Sequence, residues 1–204
     1  ICRKHGILLI ADEVITGFGR TGEWTGSRLW GVKPDFACTA KAITNAYFPF
    51  GAVMIAEGVA QVFETDETGR AAIGHGYTYS GHPVGAAAAL ACLAETKRLN
   101  VPVNAAARGT QLHQGLLHLQ TEHAAIGDVR GGHGLMCAIE LVADRASKKP
   151  ADKAVPAKVQ EVAYQSGAMV RVSGPNIILS PPLVVTEADI ATILSALDSG
   201  FKAL

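Results

Sequence analysis

ILLIADEV (residues 7–14) and PDFACTAKA (residues 34–42) are the two stretches that decide the fold, since each is a short apolar run that leads to a reactive side chain. Asp12 ends the first run, and Lys41 follows the second. The continuous apolar character of residues 7–11 is typical of a strand buried on both faces of a sheet. We predict that the two runs are neighbouring parallel strands whose carboxyl ends place Asp12 and Lys41 at one crevice, where open α/β sheets bind ligands.

The pair Asp12 and Lys41 matches what pyridoxal phosphate chemistry requires of a protein. A lysine amine forms a Schiff base with an aldehyde, and a buried carboxylate keeps a pyridine nitrogen protonated, so that the ring acts as an electron sink. The lysine must also be able to lose its proton, which requires a partly desolvated site near other cations. Each residue alone has an ordinary explanation, as an acid at a strand end or a solvated lysine, but together they indicate a cofactor site.

The composition is that of a globular protein with a sizeable core. Of 204 residues, 49% are hydrophobic, and 18 Lys and Arg balance 18 Asp and Glu, which argues against nucleic acid as a partner. The longest nearly apolar run, residues 83–94, is too short to span a bilayer and predicts a buried helix rather than a membrane segment. The four cysteines are far apart, without a C-x-x-C pair, which favours reduced, buried thiols in a cytoplasmic protein.

The order of predicted elements divides the chain into two parts. Up to residue 99 the chain alternates strands, predicted at 7–11, 35–40 and 52–56, with helices predicted at 26–31, 57–64 and 83–99. The remainder has helices predicted at 100–123, at 154–166 and after an N-cap at Thr186, with strands at 126–131, 135–142, 168–172 and 176–180. Leu112, Leu116 and Leu119 form the predicted apolar face of the first of these helices, and residues 144–153 are predicted to be an exposed loop. We therefore predict part of a large α/β domain over residues 1–99 and a smaller α+β domain over residues 100–204.

GFGRTG (residues 17–22) matches the dinucleotide-binding pattern G-x-G-x-x-G, but its setting is wrong. In that fold the first glycine ends the strand, and an acid follows the glycines by about 20 residues. Here Asp12 precedes the glycines, and the following EWTGS is a poor helix start, so a nicotinamide enzyme is disfavoured. No G-x-S-x-G anchors a hydrolase triad, and no set of His, Cys, Asp or Glu has metal-ligand spacing, so no metal is predicted.

Two further segments carry candidate binding residues. GHGYTYSGHP (residues 74–83) contains Thr78 and precedes a predicted helix whose N-terminus is suited to an anion, although simple capping by Ser80 explains the segment equally well. Its two histidines are expected to form local hydrogen bonds rather than to catalyse. Arg171 lies on a predicted strand just before a turn, where it could clamp a carboxylate in bidentate fashion or form a surface ion pair.

Five segments together resemble the class III pyridoxal-phosphate aminotransferases, the ω-aminotransferase group of the amine–pyruvate and β-alanine–pyruvate type. They are ADEVITGFGRTG (11–22), PDFACTAKAITNAYFPFGAVMI (34–55), GYTYSGHPVGAAAAL (76–90), VRGGHGLMCAIEL (129–141) and VRVSGPNIILSPPLVVT (170–186). The resemblance implies the large domain of the pyridoxal-phosphate transferases, with a mixed, mostly parallel sheet, followed by the small domain. It also implies a ping-pong transaminase that moves an amino group from a primary amine or ω-amino acid to a keto acid such as pyruvate.

The resemblance implies roles for four residues around the cofactor ring. Asp12 would pair with the pyridinium nitrogen, and Lys41 would form the Schiff base and then move the proton of the substrate Cα. Val14 would pack against one face of the ring. Ile15 stands where many members of the family carry a glutamine near the ring hydroxyl, and this departure resembles the amine–pyruvate branch.

Three other residues have roles that the resemblance places farther from the ring. Thr78 would bind the phosphate of the cofactor held by the other subunit of a homodimer, and Tyr77 would line that shared site. Arg171 resembles the mobile arginine that receives the carboxylate of pyruvate or of an amino acid and swings away for an apolar amine.

Two alternatives to a working transaminase remain open. Aminomutases and decarboxylases share this fold and its lysine, so the reaction could differ with the same cofactor. The opening ICRKHG has no starting Met and reads as the last turn of a helix, which favours a fragment corresponding to the C-terminal half of such an enzyme. A fragment of this kind would lack the phosphate-binding turn and the ring-stacking aromatic of the family, and it could be inactive.

Overall fold

The computed structural model describes all 204 residues, and their packing forms two compact units. The first comprises residues 1–19 and 23–100, and the second comprises residues 20–22 and 101–204. Part of the glycine loop thus packs with the second unit. None of the helices is both long enough and apolar enough to cross a membrane. The predicted roles of the two parts, as cofactor domain and small domain, stay predictions.

The first unit contains a three-stranded mixed sheet in the order β1-β2-β3, with β1 at Ile10–Asp12, β2 at Phe36–Thr39 and β3 at Ala52–Ile55. β1 and β2 are parallel, and β3 is antiparallel to β2. Three α-helices belong to this unit, α1 at Gly26–Leu29, α2 at Glu57–Glu64 and α3 at Pro83–Arg98, together with 3₁₀ segments at Arg3–His5 and Lys41–Ile43. The predicted α/β class with a mixed sheet is confirmed. The helical turn predicted for ICRKHG appears as the 3₁₀ segment Arg3–His5, which ends at Gly6 (φ = 64°), whereas the 3₁₀ segment at Lys41–Ile43 was not predicted.

β1 differs from its prediction in both extent and burial. Ile7 and Leu8 precede the strand and are each 56% exposed, while Ile10 within it is 64% exposed. The parallel pairing begins at Ile10, which lies opposite Phe36, the first residue of β2. The prediction of burial on both faces is therefore wrong for these 204 residues, since apolar composition expresses a preference, and burial needs elements that cover the strand.

The second unit is an antiparallel sheet with three helices. Its strands are β4 at Ile126–Arg130, β5 at Cys137–Asp144, β6 at Lys149–Pro150, β7 at Arg171–Ser173 and β8 at Asn176–Leu179, in the order β4-β5-β8-β7 with β6 beside β5. The helices are α4 at Val101–Glu122, α5 at Ala154–Gln165 and α6 at Glu187–Lys202. The predicted strand at 168–172 begins later than expected, and β6 lies in a segment that was predicted to be a loop.

The core of the second unit is built by the helices on the sheet. Leu112, Leu116 and Leu119, the predicted apolar face of α4, are all buried and join one cluster with residues of β4, β5, β8 and α6. α6 starts with a capping box, in which Thr186 Oγ1 accepts from the backbone N–H of Asp189 and the Asp189 carboxylate accepts from that of Thr186. The predicted N-cap at Thr186 is therefore confirmed.

The four thiols follow their prediction only in part. All four cysteines are free, but only Cys137 is buried, and the other three are partly exposed. Cys137 lies on β5 inside the core, where burial raises the pKa of its thiol. A thiol with a raised pKa is a poor nucleophile at neutral pH, so this residue serves as a small apolar core side chain.

Two buried threonines differ in whether the hydroxyl forms a hydrogen bond, so replacing each by valine should affect stability differently. Thr44 Oγ1 donates to the carbonyl of Phe48 at 2.7 Å, whereas the Thr21 hydroxyl has no partner. We expect Thr44→Val to lower the free energy of unfolding by about 1–2 kcal/mol and Thr21→Val to leave it unchanged or raise it by about 1 kcal/mol. Urea denaturation measures both, and equal losses in the two variants would contradict this difference.

Candidate active site

Asp12 is the last residue of β1, and its carboxylate is exposed. Its Oδ1 accepts a hydrogen bond from the backbone N–H of Val14 at 3.0 Å, while Oδ2 makes no hydrogen bond within the chain. This local bond restricts the orientation of the carboxylate at the strand end. One oxygen thus remains available to a ligand at the carboxyl edge of the sheet.

Lys41 lies two residues after β2 and opens a 3₁₀ segment with φ = 47°, in the left-handed region. A residue with a side chain costs about 1 kcal/mol or more in this conformation, which persists only where the surrounding structure imposes it. The following residues impose it here, because Ile43 and Thr44 are 6% and 1% exposed. The Lys41 side chain itself is exposed, and its ammonium forms no hydrogen bond or ion pair.

The strand register brings Asp12 and Lys41 to the same edge of the sheet. Asp12 lies opposite Cys38 in the parallel pair, and Lys41 follows Cys38 by three residues. Both residues therefore stand at the carboxyl ends of neighbouring parallel strands, the edge at which open α/β sheets bind ligands. A free carboxylate oxygen and an unpaired amine at one edge are the two protein groups that pyridoxal phosphate requires, one for its ring nitrogen and one for its aldehyde.

Glu13 was missed by the sequence analysis, although it follows Asp12 directly. Its side chain is 2% exposed, and its carboxylate accepts from the backbone N–H groups of Gly26 (2.8 Å) and Ser27 (2.6 Å) and from the hydroxyls of Ser27 and Thr16. Glu13 directly follows β1, and its backbone N–H donates to the carbonyl of Cys38 at 2.8 Å, so its buried carboxylate anchors the chain just after Asp12. The D-E pair is visible in the sequence, but its partners are 13 and 14 residues away, and no local pattern indicates them.

The hydrogen bonds of Glu13 determine its charge state. Burial raises the pKa of the carboxyl, but the hydroxyls of Ser27 and Thr16 and the two backbone N–H groups together outweigh burial and hold the pKa below the usual value of 4.5. A lowered pKa in the folded state contributes stability that is present above the ordinary carboxyl pKa and is lost as the pH falls through the folded-state pKa. Glu13 is therefore a carboxylate at neutral pH.

Replacing Glu13 by Gln should destabilise the loop that follows Asp12. An amide presents N–H groups where one carboxylate oxygen now accepts, so buried donors are left unpaired at a cost of about 1–3 kcal/mol. We expect the free energy of unfolding to fall by this whole amount at neutral pH, and by less below pH 4.5, where the wild-type carboxylate becomes protonated. Glu23→Gln is the control, because Glu23 is partly exposed and pairs with Arg28 on the surface. Equal losses in the two variants, or a loss independent of pH, would contradict the anchoring role.

Val14 and Ile15 occupy the turn after Asp12. Val14 is partly buried, whereas Ile15 is 54% exposed. The turn closes through the N–H of Gly17, which donates to the carbonyl of Glu13 at 2.9 Å. Both residues therefore lie in the turn that directly follows Asp12. Their predicted contacts with a cofactor ring stay predictions.

Thr78 and Tyr77 lie in the exposed segment that precedes α3. Thr78 makes no hydrogen bond, and Tyr77 is 72% exposed and stacks on His75 with ring centroids 4.1 Å apart. The N-cap of α3 is His82, whose Nδ1 accepts from the N–H of Val84 at 3.2 Å, so the alternative of capping by Ser80 is wrong. Pro83 explains this, since it occupies the first helical position and fixes the cap one residue earlier.

The loop after Lys41 reaches the start of α3. The ring centroids of Phe48 and His82 are 5.0 Å apart. Gly85 on α3 has no room for a Cβ, which would lie 2.6 Å from the ring of Phe50. The structure thus brings the segment that contains Thr78 beside the loop that follows Lys41. It shows no hydrogen bond that joins Thr78 to Asp12 or Lys41.

Arg171 belongs to the second unit and is the first residue of β7, opposite Ile178, with a turn at Gly174 (φ = 57°). The predicted position on a strand before a turn is confirmed. Its exposed guanidinium forms no ion pair, so the alternative of a surface ion pair is wrong. Arg171 borders a cavity of about 460 Å³ lined mainly by apolar residues, among them Met169, Ile178, Leu179, Pro181, Pro182 and Ile193.

Comparison with known proteins finds one family over nearly the whole chain. The family described as aminotransferase class-III matches residues 1–201. The chain is 41% identical to the uncharacterized aminotransferase y4uB of Sinorhizobium fredii and 38% identical to the taurine–pyruvate aminotransferase of Bilophila wadsworthia, with 100% and 98% of the chain covered. It also matches the structure of an amine transaminase in its PLP-bound form, from an uncultivated Pseudomonas species, with a TM-score of 0.95, 46% identity and 99% of the chain covered.

The chain is shorter than each of these proteins. It covers 44% of the Sinorhizobium fredii protein, 46% of the Bilophila wadsworthia enzyme and 46% of the Pseudomonas structure. The chain therefore spans less than half the length of the curated relatives that it matches.

Proposed function

Because the chain belongs to the class III aminotransferase family, we propose that the protein containing it is a pyridoxal-phosphate-dependent transaminase. It moves an amino group from a primary amine or ω-amino acid to a keto acid such as pyruvate, with ping-pong kinetics. The observation that carries the proposal is the unpaired amine of Lys41 at the same sheet edge as the free carboxylate oxygen of Asp12. Relatives whose names specify taurine with pyruvate, or an amine, support this choice of donor and acceptor.

Asp12 holds a proton on the ring nitrogen of the cofactor. When bound, the cofactor supplies an electron sink for the negative charge that develops at the substrate Cα. The sink works only while the nitrogen stays protonated, and an adjacent carboxylate favours the charged pyridinium. The bond from the Val14 N–H to Oδ1 supports this role, because it leaves Oδ2 free to face the nitrogen.

Lys41 attaches the cofactor through its side-chain amine and later acts as general base and acid. With cofactor and substrate bound, Lys41 Nζ would act as the base that takes the proton from the substrate Cα and as the acid that gives it to the adjoining cofactor carbon. The left-handed backbone at Lys41 supports this role, since such conformations cluster where a site needs a fixed side-chain origin. Val14 would pack against one face of the ring, and Ile15 would lie near the ring hydroxyl.

Arg171 receives the carboxylate of the keto acid. A guanidinium matches a carboxylate with two parallel hydrogen bonds, and the Arg171 side chain has no competing partner. The apolar cavity beside it offers the arginine stem a surface when the substrate is an apolar amine. This arrangement supports alternate use of one site by a charged acceptor and an uncharged donor.

A homodimer with shared active sites accounts for the exposed segment around Thr78. Tyr77 and Tyr79 are 72% and 84% exposed, and large aromatic side chains are enriched at protein interfaces. In this arrangement Thr78 binds the phosphate of the cofactor attached to Lys41 of the partner subunit, and Tyr77 lines the same site.

Mixing two inactive variants tests the shared site. We expect Lys41→Ala and a Thr78 variant, each nearly inactive at limiting cofactor, to recover about a quarter of the wild-type activity after refolding together. Half of randomly mixed dimers are heterodimers, and each then holds one intact site. Recovery close to zero would contradict sites built from two subunits.

The reaction itself is tested by following alanine formed from pyruvate with a primary amine donor. The protein is expressed from its complete reading frame, and residues 1–204 alone are assayed beside it. We expect alanine formation by the complete protein, and we expect residues 1–204 alone to bind the cofactor poorly. Release of carbon dioxide, or rearrangement of an amino acid without alanine formation, would instead identify a decarboxylase or an aminomutase.

A further inference from the structure

Three potential metal ligands meet in the second unit where α4 ends beside α6. Glu122 is the last residue of α4, His123 follows it, and Asp198 lies on α6. Their ligand atoms all lie within 4.8 Å of one another. We propose that this cluster binds a divalent transition-metal cation of the Zn²⁺ class. Sequence spacing hides the site, because Asp198 is 75 residues from His123.

The geometry is close to that of a bound metal. Asp198 Oδ1 lies 2.8 Å from His123 Nε2. Zn²⁺ holds nitrogen and oxygen ligands at about 2.0–2.2 Å, which separates neighbouring tetrahedral ligands by about 3.4 Å. The pair therefore needs to open by only about half an ångström. The Glu122 side chain is exposed and would supply the third ligand by turning from its contact with His118.

His123 is held in place before any cation binds. Its side chain is 12% exposed, and its ring lies 5.2 Å from that of Phe201. Its backbone carbonyl accepts from the guanidinium of Arg145 at 2.7 Å, and the same guanidinium bonds the carbonyl of Ile126 at 2.9 Å. A ligand whose ring and backbone are both fixed loses little conformational entropy on binding.

The donor set selects the class of cation. Imidazole with carboxylates suits Zn²⁺, Co²⁺ and Ni²⁺, whereas Mg²⁺ and Ca²⁺ prefer oxygen ligands alone. A further imidazole is at hand, since His118 Nε2 lies 3.4 Å from Glu122 Oε1, one helical turn earlier on α4. His118 is exposed and can rotate inward as a fourth ligand, and water serves otherwise.

Lys202 provides a charge that competes with the cation. Its ammonium lies 2.6 Å from Asp198 Oδ2, one turn along α6. Because like charges repel at short range, this ammonium weakens the binding of a second cation to the same carboxylate. Removing it should therefore strengthen binding at this cluster, an effect that metal bound to an unrelated surface histidine would not show.

The test is Zn²⁺ titration by calorimetry on the complete protein after dialysis against a chelator, with Co²⁺ absorbance to report nitrogen and oxygen ligation. We expect one saturable equivalent that is lost in His123→Gln, weakened at least about tenfold in Glu122→Gln and tightened in Lys202→Ala. His5→Ala, a control at an exposed histidine outside the cluster, should bind like the wild type.

Folding of each variant is checked by circular dichroism, and Glu122→Gln keeps the test valid if His123→Gln fails to fold, because Glu122 is exposed. Bound Zn²⁺ should also raise the Tm of the wild-type protein, raise that of Glu122→Gln by less, and leave that of His123→Gln unchanged. Unchanged Zn²⁺ binding in folded Glu122→Gln or His123→Gln, or no tightening in Lys202→Ala, would overturn the proposal. None of these readouts depends on amino transfer, so the site stands or falls separately from the proposed activity.

Discussion

Lys41→Ala is expected to lower kcat for amino transfer by at least about a thousandfold in the complete protein, with little change in stability. In the proposed function this amine is both the attachment point of the cofactor and the proton carrier, and a positioned acid–base group alone contributes about 10²–10⁴-fold. Stability should hold because the Lys41 side chain has no partner to lose, and Ala adopts φ = 47° at the same cost as Lys. Steady-state kinetics and urea denaturation measure the two effects.

Two further variants separate chemistry from backbone conformation. Lys33→Ala removes another exposed lysine of the first unit and should leave kcat unchanged. Lys41→Gly should be as inactive as Lys41→Ala but more stable by about 1 kcal/mol, because glycine adopts the left-handed region without strain.

The covalent role of Lys41 has its own spectroscopic test. Borohydride should fix the cofactor to Lys41 in the wild type, with loss of its visible band, and should fix none in Lys41→Ala. Amino transfer by Lys41→Ala near the wild-type rate would exclude Lys41 as the nucleophile. If the complete wild-type protein shows no visible band with pyridoxal phosphate, the enzyme proposal itself fails.

Gly134→Ala is expected to have the largest effect on stability, about 3 kcal/mol or more in the second unit. Gly134 adopts φ = 61°, and an added Cβ would lie 2.2 Å from the carbonyl oxygen of Arg20 and 2.5 Å from the carbonyl carbon of Thr21. The opposing atoms are backbone and cannot rotate away, so overpacking adds about 1–3 kcal/mol to the cost of a left-handed alanine. α4 packs equally closely, since a Cβ on Gly109 would lie 2.1 Å from the oxygen of Gly134.

This contact fixes residues 20–22 to the second unit. The N–H of Leu135 donates to the carbonyl of Arg20 at 3.0 Å, and the Arg20 guanidinium donates to the carbonyls of Leu135 (2.8 Å) and Pro181 (2.6 Å). Burial lowers the pKa of Arg20, yet the side chain remains charged at any physiological pH. Displacing Gly134 therefore also breaks charge-assisted bonds, which increases the expected loss.

Gly174→Ala is the matched control for Gly134→Ala. Gly174 has a similar φ of 57°, but an added Cβ would meet nothing within 4 Å. We expect a loss of about 1 kcal/mol there, from backbone conformation alone. Urea denaturation followed by circular dichroism, with hydrogen exchange of the α4 amides, measures both variants. Losses of similar size would show that the close approach at Gly134 is relaxed without cost.

The sequence predicted local structure well where a repeating pattern or a capping signal specifies it. α2 was predicted at its exact bounds, α3 and α4 within one residue at each end, and the cap at Thr186 correctly. Apolar runs ending at Asp12 and before Lys41 also predicted the parallel pair that carries both residues. These features depend on residues a few positions apart, whose periodicity and capping chemistry are written directly in the chain.

The sequence by itself predicted the α-helices and seven of the eight strands, and it singled out Asp12 and Lys41 as candidate chemical partners. Only the tertiary structure decided that Glu13 is buried on four donors, that Gly134 admits no side chain, that β1 is exposed, and that His123 meets Asp198. The physical reason is the same in each case. Local preference is set by neighbouring residues, whereas burial, close approach and ligand geometry depend on which distant segments pack together.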